Sequence, residues 1–309
     1  MGDSLARAHG HPAARAPGRN EPAPRAAVRR VLFPTDLSEE SDAAFHHARL
    51  LAEAFDATLI LYHAVEMPQH DQPHWAFDSA FEIWCRAERL ARQDLERRAA
   101  ALAVSHQVVV ERSISAHRAL VTLIRSTLPD LTIMATHGRS GLAHLFLGSV
   151  TEKVVQHGRS PVLCVRHRPR SAAVSPYRRI VVPTDLSPAS RRAFPLASLL
   201  ARTFGAEVVV LHVARAGTQP GASGMPAPPA SVPSEVGLWE FAQPDFPGLP
   251  VTAQVHVGTP WERIAHVSAL ENADAIVMST LGHDSLGDRL LGSTTERVVR
   301  HAPCPVLVA

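Results

Sequence analysis

Two stretches of this 309-residue chain have the residue types and the spacing to hold a phosphate. In the first, Gly138 is followed by nine residues and then Gly148-Ser149; in the second, Gly282 is followed by nine residues and then Gly292-Ser293. Glycine lets backbone approach a ligand closely and accepts positive φ. Each Gly-Ser pair stands where a helical pattern begins, and the unsatisfied N–H groups and dipole of a helix N-terminus favour an anion. The serine hydroxyl can cap that helix or donate to the phosphate. A second pair of segments reads Pro34-Thr35-Asp36 and Pro183-Thr184-Asp185. A carboxylate there can accept a hydrogen bond from an exocyclic amine such as adenine N6. The same Asp can equally close an Asx turn or cap a helix.

What is missing bounds the chemistry. A P-loop needs GxxxxGK[ST], and the sequence has none. Lys153, the only lysine, falls on the helix beyond the cradle and reads as a surface charge. Fast phosphoryl transfer needs cations and a positioned nucleophile or base. A nucleotide held here is therefore expected to be bound as a signal and not turned over, and no catalytic residue is assigned. Slow hydrolysis, or autophosphorylation at Ser149, Thr151 or Ser293, gains no support from the residues alone. The 18 histidines are dispersed, and Pro73 breaks any helix that would join His70 to His74, so no metal centre is expected. His63 and His212 end equivalent strands, where a core or turn role is the simpler reading.

These segments recur because the chain is a repeat. RRVLFPTDLS at 29–38 returns as RRIVVPTDLS at 178–187, and the run from Met134 to Val165 aligns without a gap to the run from Met278 to Ala309. Two copies thus occupy 28–168 and 178–309, with a Pro/Arg/Ser linker at 169–177. In copy one, Val31–Phe33, Leu59–Tyr62, Val108–Val110, Leu131–Ala135 and Val162–Val165 are short apolar runs of the kind buried on both faces of a parallel sheet. Helical patterns alternate with them. One runs from Ser38 to Phe55, with Ser38 as N-cap and acids in its first turn. Another carries Ile83, Ala87, Leu90, Leu95, Ala99 and Leu102 as its apolar stripe. Alternation of this kind specifies an α/β fold, doubly wound, with right-handed crossovers. In copy two the Pro- and Gly-rich residues 214–250 exclude a continuous helix and read as a loop with an anchored turn around Leu238–Phe241. Ligands of such sheets bind beyond the carboxyl ends of the strands, where the strand order reverses.

The segment from Met134 to Val165 resembles the signature of universal stress proteins, in which G-x-x-G-x(9)-G-[ST] binds the ribose and phosphates of ATP; the Pro-Thr-Asp motif belongs to the same pattern. The resemblance covers roughly 270 residues. It implies two tandem Rossmann-like domains of the adenine-nucleotide-binding type, each a five-stranded parallel sheet in the order 3-2-1-4-5. It also implies ATP as the bound ligand, with the presence of magnesium left open. Asp36 corresponds to the adenine-contacting acid and Ala64 to the adenine-contacting place after strand two. Met134 would flank the base, Gly138 and Arg139 would meet ribose and phosphates, and Gly148, Ser149 and Val150 would bind phosphates. The equivalents in copy two are Asp185, Val213, Met278, Gly282, His283, Gly292, Ser293 and Thr294. The first glycine of the motif is Ala135 in copy one and Ser279 in copy two, and His283 replaces Arg139 with a poorer phosphate partner. Copy two carries Gly258-Thr259-Pro260 where copy one has Ser115-Ala116-His117. Copy one is thus the better nucleotide site. The resemblance further implies that the two last strands, Val162–Val165 and Val306–Val308, pair the copies as an intramolecular pseudo-dimer, which can dimerise again through an exposed edge.

Composition narrows the rest. Residues 1–30 hold six Arg against Asp3 and Glu21, so the remainder carries −2 and offers no basic face for nucleic acid. Residues 1–27 read as a disordered basic leader. No apolar run approaches the roughly 18 residues of a membrane span, and no secretory signal is evident. Cys85, Cys164 and Cys304 suit free thiols in a reducing cytoplasm. The reading that follows is a cytoplasmic, adenine-nucleotide-responsive stress regulator acting on a protein partner that the sequence does not name. The competing readings are a tandem scaffold that binds no nucleotide and a slow ATPase.

Overall fold

The computed structural model describes residues 28–67, 77–136, 148–157, 160–166, 176–215, 232–280 and 292–309. Strands and helices alternate in the first copy: β1 (Arg30–Pro34), α1 (Glu39–Phe55), β2 (Thr58–Glu66), α2 (Phe77–Ala99), β3 (His106–Ser113), α3 (Ala116–Thr127), β4 (Leu131–Ala135), α4 (Ser149–His157) and β5 (Val162–Val165). The second copy repeats them. It comprises β6 (Arg179–Thr184), α5 (Pro188–Arg191), α6 (Phe194–Phe204), β7 (Glu207–Ala214), α7 (Glu235–Ala242), β8 (Val251–Val257), α8 (Pro260–Leu270), β9 (Ala275–Met278), α9 (Ser293–His301) and β10 (Val306–Val308). The leader and most of the linker lie outside the described residues.

The ten strands of the described residues form one sheet, in the order β3-β2-β1-β4-β5-β10-β9-β6-β7-β8. Each copy therefore has the order 3-2-1-4-5, and every pairing within a copy is parallel. The sheets of the two copies join through an antiparallel pairing of β5 with β10, in which Val306 faces Cys164, Leu307 faces Leu163 and Val308 faces Val162. One apolar core lies on the α1, α2, α6 and α7 side of the sheet and the other on the α3, α4, α8 and α9 side. Both cores run through the seam without a break, so the copies share their interior. Burial on both faces holds for β1, β4, β6 and β9. It fails for β3 and β8, which close the two edges and are mostly half-buried.

Tyr177, at the end of the linker, locks the seam. Its ring is buried, stacks on His47 of α1 at 5.8 Å and meets Phe204 of α6 edge-on at 5.1 Å. Its hydroxyl lies 2.8 Å from His47 Nδ1. Two identical clips hold the starts of β1 and β6. Asp130 Oδ2 accepts from the amides of Arg29 and Arg30 at 2.8 and 2.9 Å, and Asp274 Oδ2 does the same for Arg178 and Arg179 at 2.7 and 2.9 Å.

Two expectations need correction. On α2 and the turn after it, Ala87, Leu95, Ala99 and Leu102 of the expected stripe pack on the core, but Ile83 and Leu90 are exposed and Trp84 and Ala91 take their place. Helical spacing allowed either stripe, and the sheet selected the one with small residues at the close approach. In copy two, the segment read as a loop contains the helix α7, followed by a 3-10 turn over Gln243–Asp245. Ser234 caps it by accepting from Gly237 N at 3.0 Å, and Leu238, Ala242 and Phe246 bury against the core. The prolines that excluded a long helix lie outside these eight residues.

Candidate functional site

A doubly wound sheet leaves a crevice where neighbouring strands send their crossovers to opposite faces. In the first copy that point lies between β1 and β4. A crevice of about 910 Å³ opens there, within the range of small-molecule sites. Asp36, Ala64, Met134, Gly148, Ser149 and Val150 all line it. Three chain segments, brought together only by the fold, supply these residues, and α2 (Ala87 to Arg97) and α3 (Ala116, His117 and Leu120) line the rest of the volume.

The first wall is the turn leaving β1. Leu37 adopts a left-handed φ of 63°, which folds the chain back on itself. Thr35 Oγ1 accepts from Leu37 N at 2.9 Å and shares a 2.8 Å hydrogen bond with Ser41, whose hydroxyl donates to Ser38 O at 2.7 Å. Asp36 Oδ1 accepts from both the amide and the hydroxyl of Ser38, at 3.1 and 2.6 Å. This is the Asx turn that the sequence left open as an alternative. It also explains why Ser38 stands at the N-cap of α1 without capping it by side chain. The second copy rebuilds this turn with Leu186 at φ 66° and Asp185 Oδ1 on Ser187 at 3.0 and 2.5 Å. His63 and His212 each bind the preceding strand end, with Nδ1 2.8 Å from Thr35 O and 2.9 Å from Thr184 O. Their turn role is thereby accounted for.

The second wall is β2. Ala64 lies within the strand, not after it, because β2 stays paired to β3 as far as Glu66 with Ser113. Val213 sits likewise inside β7. Two residues that the sequence reading did not single out share this wall, Tyr62 and Glu66. The Tyr62 hydroxyl donates to Glu111 at 2.5 Å, and burial followed by that carboxylate raises its pKa, so the phenol keeps its proton. Glu66 Oε1 accepts from Ala116 N, the first amide of α3, at 2.5 Å. Period-2 spacing from Ala64 was the signal that could have found both.

The third wall is the step from β4 to α4. Thr136 N donates to Val165 O at 2.9 Å, Gly148 N donates to Thr136 O at 2.7 Å, and Thr151 Oγ1 donates to Ala135 O at 2.9 Å. The second copy has the same three ties: Thr280 N to Ala309 O at 3.2 Å, Gly292 N to Thr280 O at 3.0 Å, and Thr295 Oγ1 to Ser279 O at 3.0 Å. Gly148 is needed for space. A Cβ there would stand 3.0 Å from Thr136 O, and Gly292 has an ordinary φ of −57°. The amide of Gly148 is spent on Thr136. The first intrahelical bond of α4 runs from Glu152 N to Gly148 O, so the amides of Ser149, Val150 and Thr151 have no acceptor within the helix. Those three are the donors this wall offers an anion. Met134 is buried at the base of the crevice.

Gly138, Arg139, Gly282 and His283 lie outside the described residues. In the second copy Asp185, Val213, Met278, Gly292, Ser293 and Thr294 hold the same positions along their elements as their counterparts. Among the described residues no group of three His, Cys, Asp or Glu side chains is placed to hold a metal. No helix among them is long and apolar enough to cross a membrane.

A sequence model described as the universal stress protein family matches residues 27–166 and again 176–309. A universal stress protein of Mycobacterium tuberculosis is 25% identical over 292 residues, covering 90% of this chain and 96% of its own. One from Methanocaldococcus jannaschii is 32% identical over 149 residues, covering 43% of this chain and 81% of its own. Among solved structures, a universal stress protein of Archaeoglobus fulgidus superposes over 91% of this chain and 96% of its own, with a TM-score of 0.68 at 20% identity. That last likeness concerns the fold.

Proposed function

This chain belongs to the universal stress protein family, with two family domains in tandem, and from that premise we propose that it binds an adenine nucleotide in the first copy's crevice and acts as a cytoplasmic regulatory module. The observation that carries the reading is the convergence of Asp36, Ala64, Met134 and the α4 N-terminus on one crevice of about 910 Å³. Its polar groups are divided as a nucleotide requires. The turn of Asp36 offers acceptors at one end, apolar Ala64 and Met134 suit the faces of a base, and three amides of α4 suit an anion. ATP is the ligand these features fit, with or without magnesium.

Binding without turnover is the expected mode. The carboxylate of Asp36 belongs to the base end of the crevice, and one of its oxygens is held by Ser38, so it is badly placed to deprotonate a nucleophile at the phosphates. Occupancy would instead tie α4 to the β1 turn and so bias a surface that a partner reads.

Isothermal titration of the purified full-length chain with ATP tests this. The parent is expected to bind, and Gly148→Val is expected to lose binding, because its Cβ cannot fit beside Thr136 O without moving the start of α4. Two side-chain methyls add to the same collision. Overpacking of this kind costs about 1–3 kcal/mol, which a chain of this size tolerates as a folded protein. A folded Gly148→Val that binds ATP as the parent does would refute the cradle.

A further inference from the structure

The crevice is lined at the α4 N-terminus by His117 of α3, and beyond it α3 packs on α4, where the two copies differ. His117, the second residue of α3, lines the crevice beside Glu66 and Ser149. Ser115 Oγ lies 2.8 Å from His117 Nδ1, so the nitrogen the ring can offer a ligand is Nε2. On α4, Lys153 and His157 follow Ser149 at intervals of four and eight residues, which places all three on one face of the helix. His157 Nδ1 lies 3.0 Å from Lys153 O, which ties its ring back along the same face. The second copy has Trp261 where His117 stands, Arg297 for Lys153 and His301 for His157. There Trp261 packs on His301 with ring centroids 4.8 Å apart, filling the seam with an aromatic pair.

We propose that the α3–α4 seam of the first copy, through His117 and Lys153, is a cationic extension of the crevice that takes the terminal phosphates of a nucleoside triphosphate. The inference rests on the nucleotide reading above and deepens it. The same site would tell a triphosphate from a monophosphate, and its second-copy counterpart would not.

In the sequence alone Lys153 reads as a solvated surface charge. Its i+4 relation to Ser149 instead continues the row of donors that begins at the α4 amides. A phosphate chain anchored at those amides would have its next charges within reach of His117 and of the flexible Lys153 ammonium, whereas His157, about 12 Å along α4 from Ser149, lies beyond them. The groups facing His117 are mixed. Lys153 and His157 come from α4, Arg118 from its own helix, and Glu66 from β2. Partial burial, then Lys153 and Arg118, lower the pKa of His117, and Glu66 opposes them. In the free protein the ring is therefore neutral at pH 7, and a polyphosphate draws a proton onto it. Triphosphate binding should strengthen as the pH falls.

Titrations of the full-length chain with ATP and with AMP at pH 8 and pH 6 test the assignment. Charge-assisted hydrogen bonds at a partly exposed site are worth enough for Lys153→Ala to lower the ATP-to-AMP affinity ratio about tenfold. His117→Ala should lower the ratio and flatten the rise in ATP affinity between pH 8 and pH 6. If AMP binds but neither variant changes the ratio, the seam proposal is overturned and the crevice reading stands. If neither nucleotide binds the parent, both fall together.

Discussion

His47 ties the first copy to the linker and the second copy, and acid should loosen it. Its ring stacks on Tyr177 at 5.8 Å and 13°, with Nδ1 2.8 Å from the phenol oxygen. Burial raises the pKa of Tyr177, so its hydroxyl stays protonated and donates to Nδ1, which must then be unprotonated. Burial above all, with a smaller contribution from the positive charge of His46, lowers the His47 pKa from 6.5 to about 4. In the unfolded chain the same imidazole titrates near 6.5. Between those values the unfolded state binds a proton that the native state refuses, so stability is full above pH 6.5 and falls as the pH drops. At about 1.4 kcal/mol per pH unit, the loss is about 2 kcal/mol at pH 5 and about 3 kcal/mol at pH 4. Other groups titrate in the same window, so the informative quantity is a difference. Urea unfolding of the parent and of His47→Phe, followed by fluorescence from about pH 7.5 to about pH 4.5, isolates it. At the upper end the variant should be less stable by about 1 kcal/mol for the lost phenol hydrogen bond. Near pH 5 the order should reverse, because the phenyl ring of the variant has nothing to protonate. A gap between the two proteins that stays constant across the pH range would contradict the assignment of a neutral, buried ring.

Two further outcomes follow from local geometry. Ser234→Ala removes the cap of α7 and should cost about 1 kcal/mol, seen as faster amide exchange over residues 235–242 with the rest of the chain unchanged. Leu307→Ala, at the buried centre of the β5–β10 pairing opposite Leu163, should cost about 2–5 kcal/mol. Because both cores cross that seam, calorimetry should show both halves destabilised in one transition; a shift confined to one of two resolved transitions would count against a shared interior.

How far the sequence could be read depended on whether a feature was local or a choice among packing partners. β4 and β5 begin and end where their apolar runs do, and α4 spans Ser149–His157 as its pattern indicates. Both are set by residues adjacent in the chain. The internal repeat showed one architecture used twice, and the turn is indeed rebuilt with the same Thr, Asp and Ser in both halves, whereas the strand order came only with the family resemblance. The α2 stripe was legible only in part, since Ala87, Leu95 and Ala99 pack as expected. Ile83, Leu90 and Leu95 are all spaced for a helix, and only the sheet beneath decides which of them is buried. The role of Gly148 was not legible. Its type suggested unusual φ, whereas the constraint is the carbonyl of Thr136, twelve residues earlier. Glu66 and His117 escaped for a similar reason: each is ordinary in its own segment and becomes part of the crevice only when β2 and α3 meet there.

The antiparallel seam has a consequence for any communication between the copies. Within each half the strands are parallel, and β10 runs opposite to β5, so the carboxyl ends of β1–β5 and of β6–β10 lie at opposite ends of the ten-stranded sheet. A crevice formed beyond strand ends in one copy therefore opens away from its counterpart, and no single nucleotide can touch both. Ligand occupancy in one half could reach the other only through elements that cross the middle of the sheet. Among the described residues those elements include the β5–β10 ladder, α1 against α6 with Tyr177 between them, and Arg166, whose guanidinium donates to Arg300 O at the end of α9. The last of these joins the residue after β5, a strand tied to the end of β4 by Thr136 N on Val165 O, to α9, the second copy's counterpart of α4. On the proposed reading, a ligand held by α4 would act on that same β4–β5 connection through Gly148 and Thr136. The two crevice ends thus face apart while the copies are continuous as a packed body, so if each copy bound a nucleotide, any coupling between them would have to run through the sheet.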